Sequence, residues 1–335
     1  MPTLYITREN GALSQKGDAL LWRPEHGAPC ETLPSSQISD VIVLGQGNIT
    51  TQALHLLMDA QIPVHYLTSN GRYKGSLITG HERGFAIRRL HYQYVSDPEL
   101  CLKIAKSIIA GKLLNQRNTL LRYYYRRCKP HKLLAEACDE LKSLIRSLFI
   151  CKSIEQVRGV EGTAARCYFR AFATIIQPPW RFAERNRRPP KDPVNAMLSF
   201  GYTLLLSRVV SAILIAGLDP CVGFVHPEYR GRPALALDLM EEFRSPVVDR
   251  LVINICGHQS IVPGDFQVQP DKGVAMSKEA GRRFLRSYAE RLRTAVTSQN
   301  TGYQTSIEKH INIQSALFLR SLRTATDYLP FVMNR

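Results

Sequence analysis

The spacing of apolar positions changes once along the chain. In the first 90 or so residues they fall in short β-branched or aromatic runs, Leu4–Thr7, Val41–Leu44 and Val64–Leu67, set between Gly, Pro, Asn and Asp. Runs of that kind bounded by turn residues predict strands. Thr51–Ala60 predicts a short helix between the second and third runs, capped by Thr50 or Thr51. Asn70-Gly71-Arg72 predicts a hairpin turn, because Asn-Gly tolerates positive φ at both central positions. From Ser96 the spacing is helical. Leu100, Ile104, Ile108 and Leu113 follow a cap at Ser96 or Asp97 and a proline, Pro98, suited to the first helical position. Further helices are expected at about 131–150, 161–176, 193–216, 277–296 and 307–325, with Pro178-Pro179 and Pro189-Pro190 interrupting. The fold class this predicts is α+β: a β-rich unit over residues 1–90, then a larger helical unit over 91–335.

A length of 335 residues allows two domains, so the change of period marks a boundary rather than a disordered tail. The charge sharpens that division. The formal net charge is +16, which suggests a polyanionic partner. Residues 1–90 hold 8 basic and 7 acidic residues, whereas residues 91–335 hold 36 and 21. A polyanion would therefore meet the helical part. Three basic clusters stand out there, around Arg117–Lys132, Arg181–Lys191 and Arg282–Arg293. The first two are interleaved with Tyr123, Tyr124, Tyr125, Trp180 and Phe182, as phosphate neutralisation combined with base stacking would require. A solvated charged face is the plainer reading of each cluster.

Several classes are disfavoured. The apolar stretch from Leu204 to Gly217 contains Arg208 and falls short of the roughly 20 residues a bilayer span needs, so it reads as a buried core helix. The N-terminus lacks the pattern of a secretory signal, and a cytoplasmic location with no membrane attachment is expected. The eight cysteines contain no C-x-x-C pair, so reduced thiols fit better than a zinc or disulfide framework. Phosphate-loop, H-E-x-x-H and G-x-S-x-G motifs are absent, and Gly45-Gln46-Gly47 reads as a turn.

Within so basic a chain, acids gathered at Leu235–Arg244 need a reason. On a helix, Asp238 and Glu241 would share one face, and two carboxylates that close repel unless a cation or an arginine lies between them. A helix first turn, where the acids favour the dipole and pair with Arg244, is the plainer alternative. His226 lies twelve residues earlier, before a Pro/Gly/Arg turn able to fold it back over the acidic face. His with carboxylates makes a plausible Mn²⁺ or Mg²⁺ site; a structural histidine is the alternative. Glu161 sits between Gly159 and Gly162 at the predicted start of a helix, where small neighbours would let a metal or phosphate approach; a capping acid is the alternative.

Taken together, these stretches resemble a known family. They are Gly159-Val160-Glu161-Gly162 with Ala164-Ala165-Arg166 and Tyr168-Phe169, then Arg187-Arg188-Pro189-Pro190 through Asp192-Pro193-Val194-Asn195 to Leu198–Tyr202. Gly223-Phe224 with His226, Gly231-Arg232-Pro233 and Leu235–Arg244 complete the main set. Lys112-Leu113-x-Asn115-Gln116, Asp265-Phe266 and Tyr328-Leu329-Pro330-Phe331 add further matches, as does the N-terminal run with Gly45 and Asn48-Ile49-Thr50. This set resembles the CRISPR-associated integrase, the metal-dependent nuclease of spacer acquisition. The resemblance implies an N-terminal β-sandwich-like dimerisation domain and a C-terminal all-α catalytic domain. It implies metal ligation by Glu161, His226 and Glu241, with Asp238 as a supporting acid and Mg²⁺ or Mn²⁺ as the ion. It also implies a homodimer, double-stranded DNA (prespacer and repeat array) as partner, and a small dimeric ferredoxin-like companion completing a heterohexamer. One departure is Ser245, where many relatives carry proline; here the proline is Pro246.

The implied reaction is transesterification, in which a DNA 3′-hydroxyl attacks a phosphodiester of the repeat array. Arg185, Arg187, Arg188, Arg232 and Arg244 are the candidates for phosphate contact, and Asn195 and Tyr202 for lining the site. An imidazole must be neutral to ligate, so activity is expected to fall in acid. The competing expectations are a structure-specific DNA nuclease without integration and a non-catalytic DNA-binding scaffold.

Overall fold

The computed structural model describes all residues except 1–2, 7–10, 24–29, 69–72, 78–83, 127–130, 187–188, 227–231, 270–272 and 335. Its first strands are β1 (Thr3–Ile6), β2 (Ala12–Lys16), β3 (Ala19–Arg23), β4 (Glu31–Pro34), β5 (Asp40–Leu44) and β6 (Asn48–Ile49). Helix α1 (Thr51–Asp59) and strands β7 (Val64–Leu67) and β8 (Tyr73–Leu77) follow. They form two four-stranded sheets, ordered β1-β5-β7-β8 and β4-β3-β2-β6. β5 is buried along its length and, after Asp40, is an unbroken Val/Ile/Leu run, as a central strand flanked by parallel neighbours requires. Ile6, Leu13, Leu20, Val41, Val43 and Val64 from both sheets share one cluster with Ala53 and Leu57 of α1. The three predicted strands and the helix are present, and Thr50 caps α1 by accepting from Ala53 N at 3.3 Å. Gly45 has φ 84°, and a Cβ on Gly47 would stand 2.7 Å from Ile6 Cγ2, so this glycine pair makes a turn. The expected Asn70-Gly71-Arg72 turn lies outside the described residues; the strands on either side of it pair antiparallel.

The chain divides into compact units at Met1–Phe85 and Ala86–Arg335. The second opens with α2 (Phe85–Ser96), α3 (Pro98–Tyr125), α4 (Lys132–Ile150), α5 (Ile154–Ala173) and α6 (Pro193–Ile215). Asp97 caps α3, accepting from Glu99 N at 2.9 Å and Leu100 N at 3.0 Å, with Pro98 in the first turn as its sequence predicts. Asp192 and Pro193 start α6 in the same way. α6 is the one helix, among the described residues, long and apolar enough to cross a membrane, but 72% of that window is buried within the protein. It is a core helix, and its interrupting Arg208 is matched by Glu308 at 3.5 Å.

Next come α7 (Ala234–Phe243), a π-helical turn (Arg244–Asp249) and α8 (Arg250–His258). The departure at Ser245 falls in that turn, where its hydroxyl donates to Thr119 Oγ1 at 2.7 Å. Arg291 donates to the Pro246 carbonyl from Nε at 3.1 Å and from Nη2 at 2.5 Å. A π turn leaves backbone carbonyls out of the α ladder, and Arg291 takes up one of them. The remaining elements are β9 (Phe266–Gln269), β10 (Gly273–Met276), α9 (Lys278–Arg293), β11 (Ala295–Thr297), β12 (Gln304–Ser306) and α10 (Ile307–Thr324). Thus the helical unit also carries two small antiparallel pairs, β9–β10 and β11–β12, in strands too short to show a period. Beyond α10 the tail returns to α3, where Asn115 donates to Phe331 O at 2.7 Å and accepts from Met333 N at 2.9 Å.

Candidate active site

Glu161 is not at a helix start, as its flanking glycines had led us to expect. Ser153 caps α5 by accepting from Gln156 N at 3.3 Å, so the helix begins seven residues before Glu161. Ser153 is the ordinary cap residue, whereas Gly159 and Gly162 only lower helix propensity within the run. This excludes both the capping and the helix-terminus anion readings. A Cβ on either glycine would meet nothing within 4 Å, so the space beside Glu161 is open.

α7 places Asp238 and Glu241 one turn apart, both buried. Their tasks differ. Asp238 accepts from three consecutive backbone N–H groups, Phe224 at 2.6 Å, Val225 at 2.9 Å and His226 at 3.0 Å. It also takes the His226 Nδ1 hydrogen bond at 2.6 Å. A carboxylate only accepts, so the proton sits on Nδ1 and the lone pair of Nε2 is left for another partner. Gly223 lets this loop close: a Cβ there would lie 2.8 Å from Asp238 Oδ2 and from the Ala234 backbone. Arg158, three residues before Glu161 on α5, donates from Nε to Val225 O at 2.6 Å and holds the loop from its other side.

Glu241 is charged and enclosed by cations. Burial pushes its carboxyl up, but Arg244, Lys112 and His226 outweigh this and hold it far below the usual carboxylate range. Arg244 Nε lies 3.0 Å from Glu241 Oε1. Lys112 Nζ lies 2.8 Å from Glu241 Oε2 and also contacts Glu161 Oε1. Lys112, supplied by α3, is thus the cation between Glu241 and Glu161, whereas Asp238, the acid expected to share a cation with Glu241, is engaged by the 224–226 backbone and His226 instead. Among the described residues no three His, Cys, Asp or Glu side chains close around one point as metal ligands do. The donor set nevertheless suits a divalent ion. Two carboxylates meet at Lys112, a tautomer-fixed imidazole lies within electrostatic reach of Glu241, Glu241 Oε2 is buried without an aligned hydrogen bond, and His226 and Glu161 keep 22% and 28% exposure.

The arginine candidates divide. Arg244 stacks on the Tyr202 ring, its Cζ 4.6 Å from the centroid, and pairs with Glu241, so it serves the site from behind. Arg185 donates to Asn195 Oδ1 at 2.7 Å and Ser199 Oγ at 3.0 Å. Asn195 in turn donates to Glu184 O at 2.9 Å and Asp192 Oδ2 at 2.6 Å, fixing the entry to α6 rather than lining the site. Arg232 lies half-buried just ahead of α7, and Arg187 and Arg188 lie outside the described residues.

Tyr202 donates to Asp249 Oδ1 at 2.5 Å, and Tyr168 to Asp249 Oδ2 at 2.8 Å. Burial raises the Asp249 carboxyl from 3.8 to about 6, against the lowering effect of both tyrosines and of Arg244 and Arg185. The folded protein therefore binds this proton more tightly than the unfolded chain. Its stabilisation is complete below pH 3.8 and is lost as the pH climbs through about 6. Asp249→Asn is expected to remove that slope, up to about 3 kcal/mol between the limits, in urea unfolding measured from pH 4 to 6.5. Parallel wild-type and variant curves would refute it.

Lys112, Arg158 and Asp249 were missed as parts of the site. For Lys112 the sequence held two signals: its place in the Lys112-Leu113-x-Asn115-Gln116 match, and a lysine set directly between Gly111 and Leu113 in a helix whose neighbouring positions are buried.

Known proteins resemble this chain in sequence and in fold. A family profile described as CRISPR associated protein Cas1 matches residues 4–290. A CRISPR-associated endonuclease Cas1 of Thermus thermophilus is 34% identical over 99% of this chain and 100% of its own length. A CRISPR-associated exonuclease Cas4/endonuclease Cas1 fusion of Geobacter sulfurreducens is also 34% identical over 99% of this chain, which spans only 60% of that relative's length. Among solved structures, a chain of a Cas6-RT-Cas1–Cas2 complex superposes with a TM-score of 0.83 at 26% identity, covering 98% of this chain and 36% of its own. The chain belongs to the Cas1 family, whose curated relatives are named as CRISPR-associated endonucleases.

Proposed function

We propose that this chain is a metal-dependent DNA endonuclease and integrase that joins short DNA fragments to a CRISPR repeat array by transesterification. The observation that carries the reading is the meeting of Glu161 from α5 and Glu241 from α7 at one buried cation, beside a His226 oriented by Asp238. Glu161, Glu241 and Nε2 of His226 are the groups that would hold the metal. Bound Mg²⁺ or Mn²⁺ would supply neutralisation of the phosphodiester and of the charge that develops on the departing oxygen. The chain's own residues prepare the site. Asp238 fixes the tautomer and orientation of the imidazole, Arg158 and Gly223 hold its loop, and Arg244 keeps Glu241 ionised and in place. In the exchange, the attacking 3′-hydroxyl oxygen forms a new bond to phosphorus and gives up its proton to solvent, while the bond to the departing 3′-oxygen breaks and that oxygen takes up a proton from solvent to become a hydroxyl.

The excess of basic over acidic residues beyond residue 90 supports double-stranded DNA as substrate. A homodimer through the β-rich unit, and a small ferredoxin-like companion, belong to the same reading. The solved complex that this chain resembles is named as containing both Cas1 and Cas2.

The test is a gel assay with a duplex bearing free 3′-hydroxyls, a repeat-containing plasmid and Mg²⁺ or Mn²⁺. Covalently joined products that vanish with EDTA are expected. Nicked plasmid without joined product would favour a nuclease that does not integrate, and no metal-dependent product would favour a scaffold. In binding assays log affinity should fall linearly with log salt, at about −0.9 per phosphate contacted. A flat response would count against the charge argument.

A further inference from the structure

Glu161 and Glu241 stand on different helices, and the group between them is the Lys112 ammonium from a third helix, α3. It contacts Glu161 Oε1 and lies 2.8 Å from Glu241 Oε2. The Lys112 side chain is 6% exposed, so this is no surface pair making and breaking in water. Its backbone is fixed as well. A Cβ on the adjoining Gly111 would come within 2.5 Å of Pro330 Cβ, so the returning tail packs directly against this turn of α3. Without a cation, the two carboxylates would repel, and one would take a proton or turn away.

An ammonium and a divalent ion want the same two oxygens, but they are both positive and cannot share the space between them. We propose that Lys112 is a resident counter-ion, which holds Glu161 and Glu241 together in the metal-free protein and must withdraw from between them when a divalent cation binds. Lys112 therefore has two opposing effects. It preorganises the carboxylates and keeps the metal-free site folded, and it lowers apparent metal affinity by competition. Withdrawal is open on the Glu161 side, since Glu161 is 28% exposed whereas Glu241 is 4% exposed. The inference rests on the reading of Glu161 and Glu241 as metal ligands.

The experiment measures Mn²⁺ uptake by the full chain, from the free-ion electron paramagnetic resonance signal, together with thermal melting in EDTA and in Mn²⁺. It compares wild type, Lys112→Gln and Lys112→Arg. Lys112→Gln is expected to bind Mn²⁺ about tenfold more tightly than wild type, to melt lower in EDTA, and to gain more from Mn²⁺. Lys112→Arg keeps the charge and is expected to bind no more tightly than wild type. If Lys112→Gln is unfolded in EDTA, its cooperative melt should return on adding Mn²⁺; failure to return would overturn the proposal. Wild type that binds Mn²⁺, with Lys112→Gln binding equally or more weakly, would overturn competition while leaving the ligand assignment intact. If neither protein takes up Mn²⁺, the ligand assignment itself falls.

Discussion

Replacing Glu161 or His226 by alanine, or Glu241 by glutamine, is expected to lower metal-dependent cleavage and strand joining by about 10³-fold, with DNA binding retained. The choice of substitution follows from burial. Glu161 and His226 keep 28% and 22% exposure, so truncating them leaves little buried charge without a partner. Glu241 is 4% exposed and faces both Lys112 and Arg244. Glu241→Ala would leave Arg244 without its carboxylate and Lys112 with Glu161 alone, at a cost of about 3–5 kcal/mol. Activity loss in that variant would mix folding with chemistry. Glutamine keeps the shape and an acceptor oxygen while removing the charge. The measurement is initial rate in the joining assay, read beside the melting temperature and the DNA affinity of the same preparations. Near wild-type rates in any two of the three would refute the assignment.

Asp238→Ala should fail differently, losing stability and activity together. Three backbone N–H donors at 224–226 and the His226 ring converge on this one carboxylate, which is fully buried. Removing it leaves those donors without an acceptor and frees the loop that carries His226. A loss of about 3–5 kcal/mol in urea unfolding is expected, by analogy with breaking a buried charged network. Metal affinity should fall roughly 10–100-fold, the usual cost of removing the group that orients a ligating imidazole. His226→Ala provides the contrast, since it should lose the activity while keeping most of the stability. If Asp238→Ala melted with wild type, the loop would be held by Arg158 and packing alone.

Much of the site was legible as residue types. A histidine, two acids one turn apart and a glycine-flanked glutamate in a basic helical region pointed to a divalent-metal site, and the phosphodiester chemistry came from their resemblance to a known family. What those residues do to one another was less legible. Of the two readings for Arg244, phosphate contact and pairing with the nearby acids, the second holds: it lies against Glu241 and Tyr202, because one helical turn brings position 244 back over 241. Arg185 was grouped with a DNA-binding cluster but is engaged by Asn195 and Ser199 at the entry to α6. Asp238 and Glu241 look equivalent in sequence, yet only Asp238 faces the 224–226 backbone.

By itself the sequence determined the elements and the inventory of the site. Caps such as Asp97 and Asp192, prolines at first turns and the spacing of apolar side chains act over three or four residues, so they survive being read along a line. The uneven charge did so as well, because it is a sum that needs no geometry. Tertiary structure alone decided which carboxylate orients the imidazole, which one meets a cation, and that the cation is Lys112. Lys112 and Glu161 are 49 positions apart, and Ser245 and Thr119 are 126 apart. Electrostatic and hydrogen-bond energies depend on distance and burial in space, and packing α3, α5 and α7 together is what sets both.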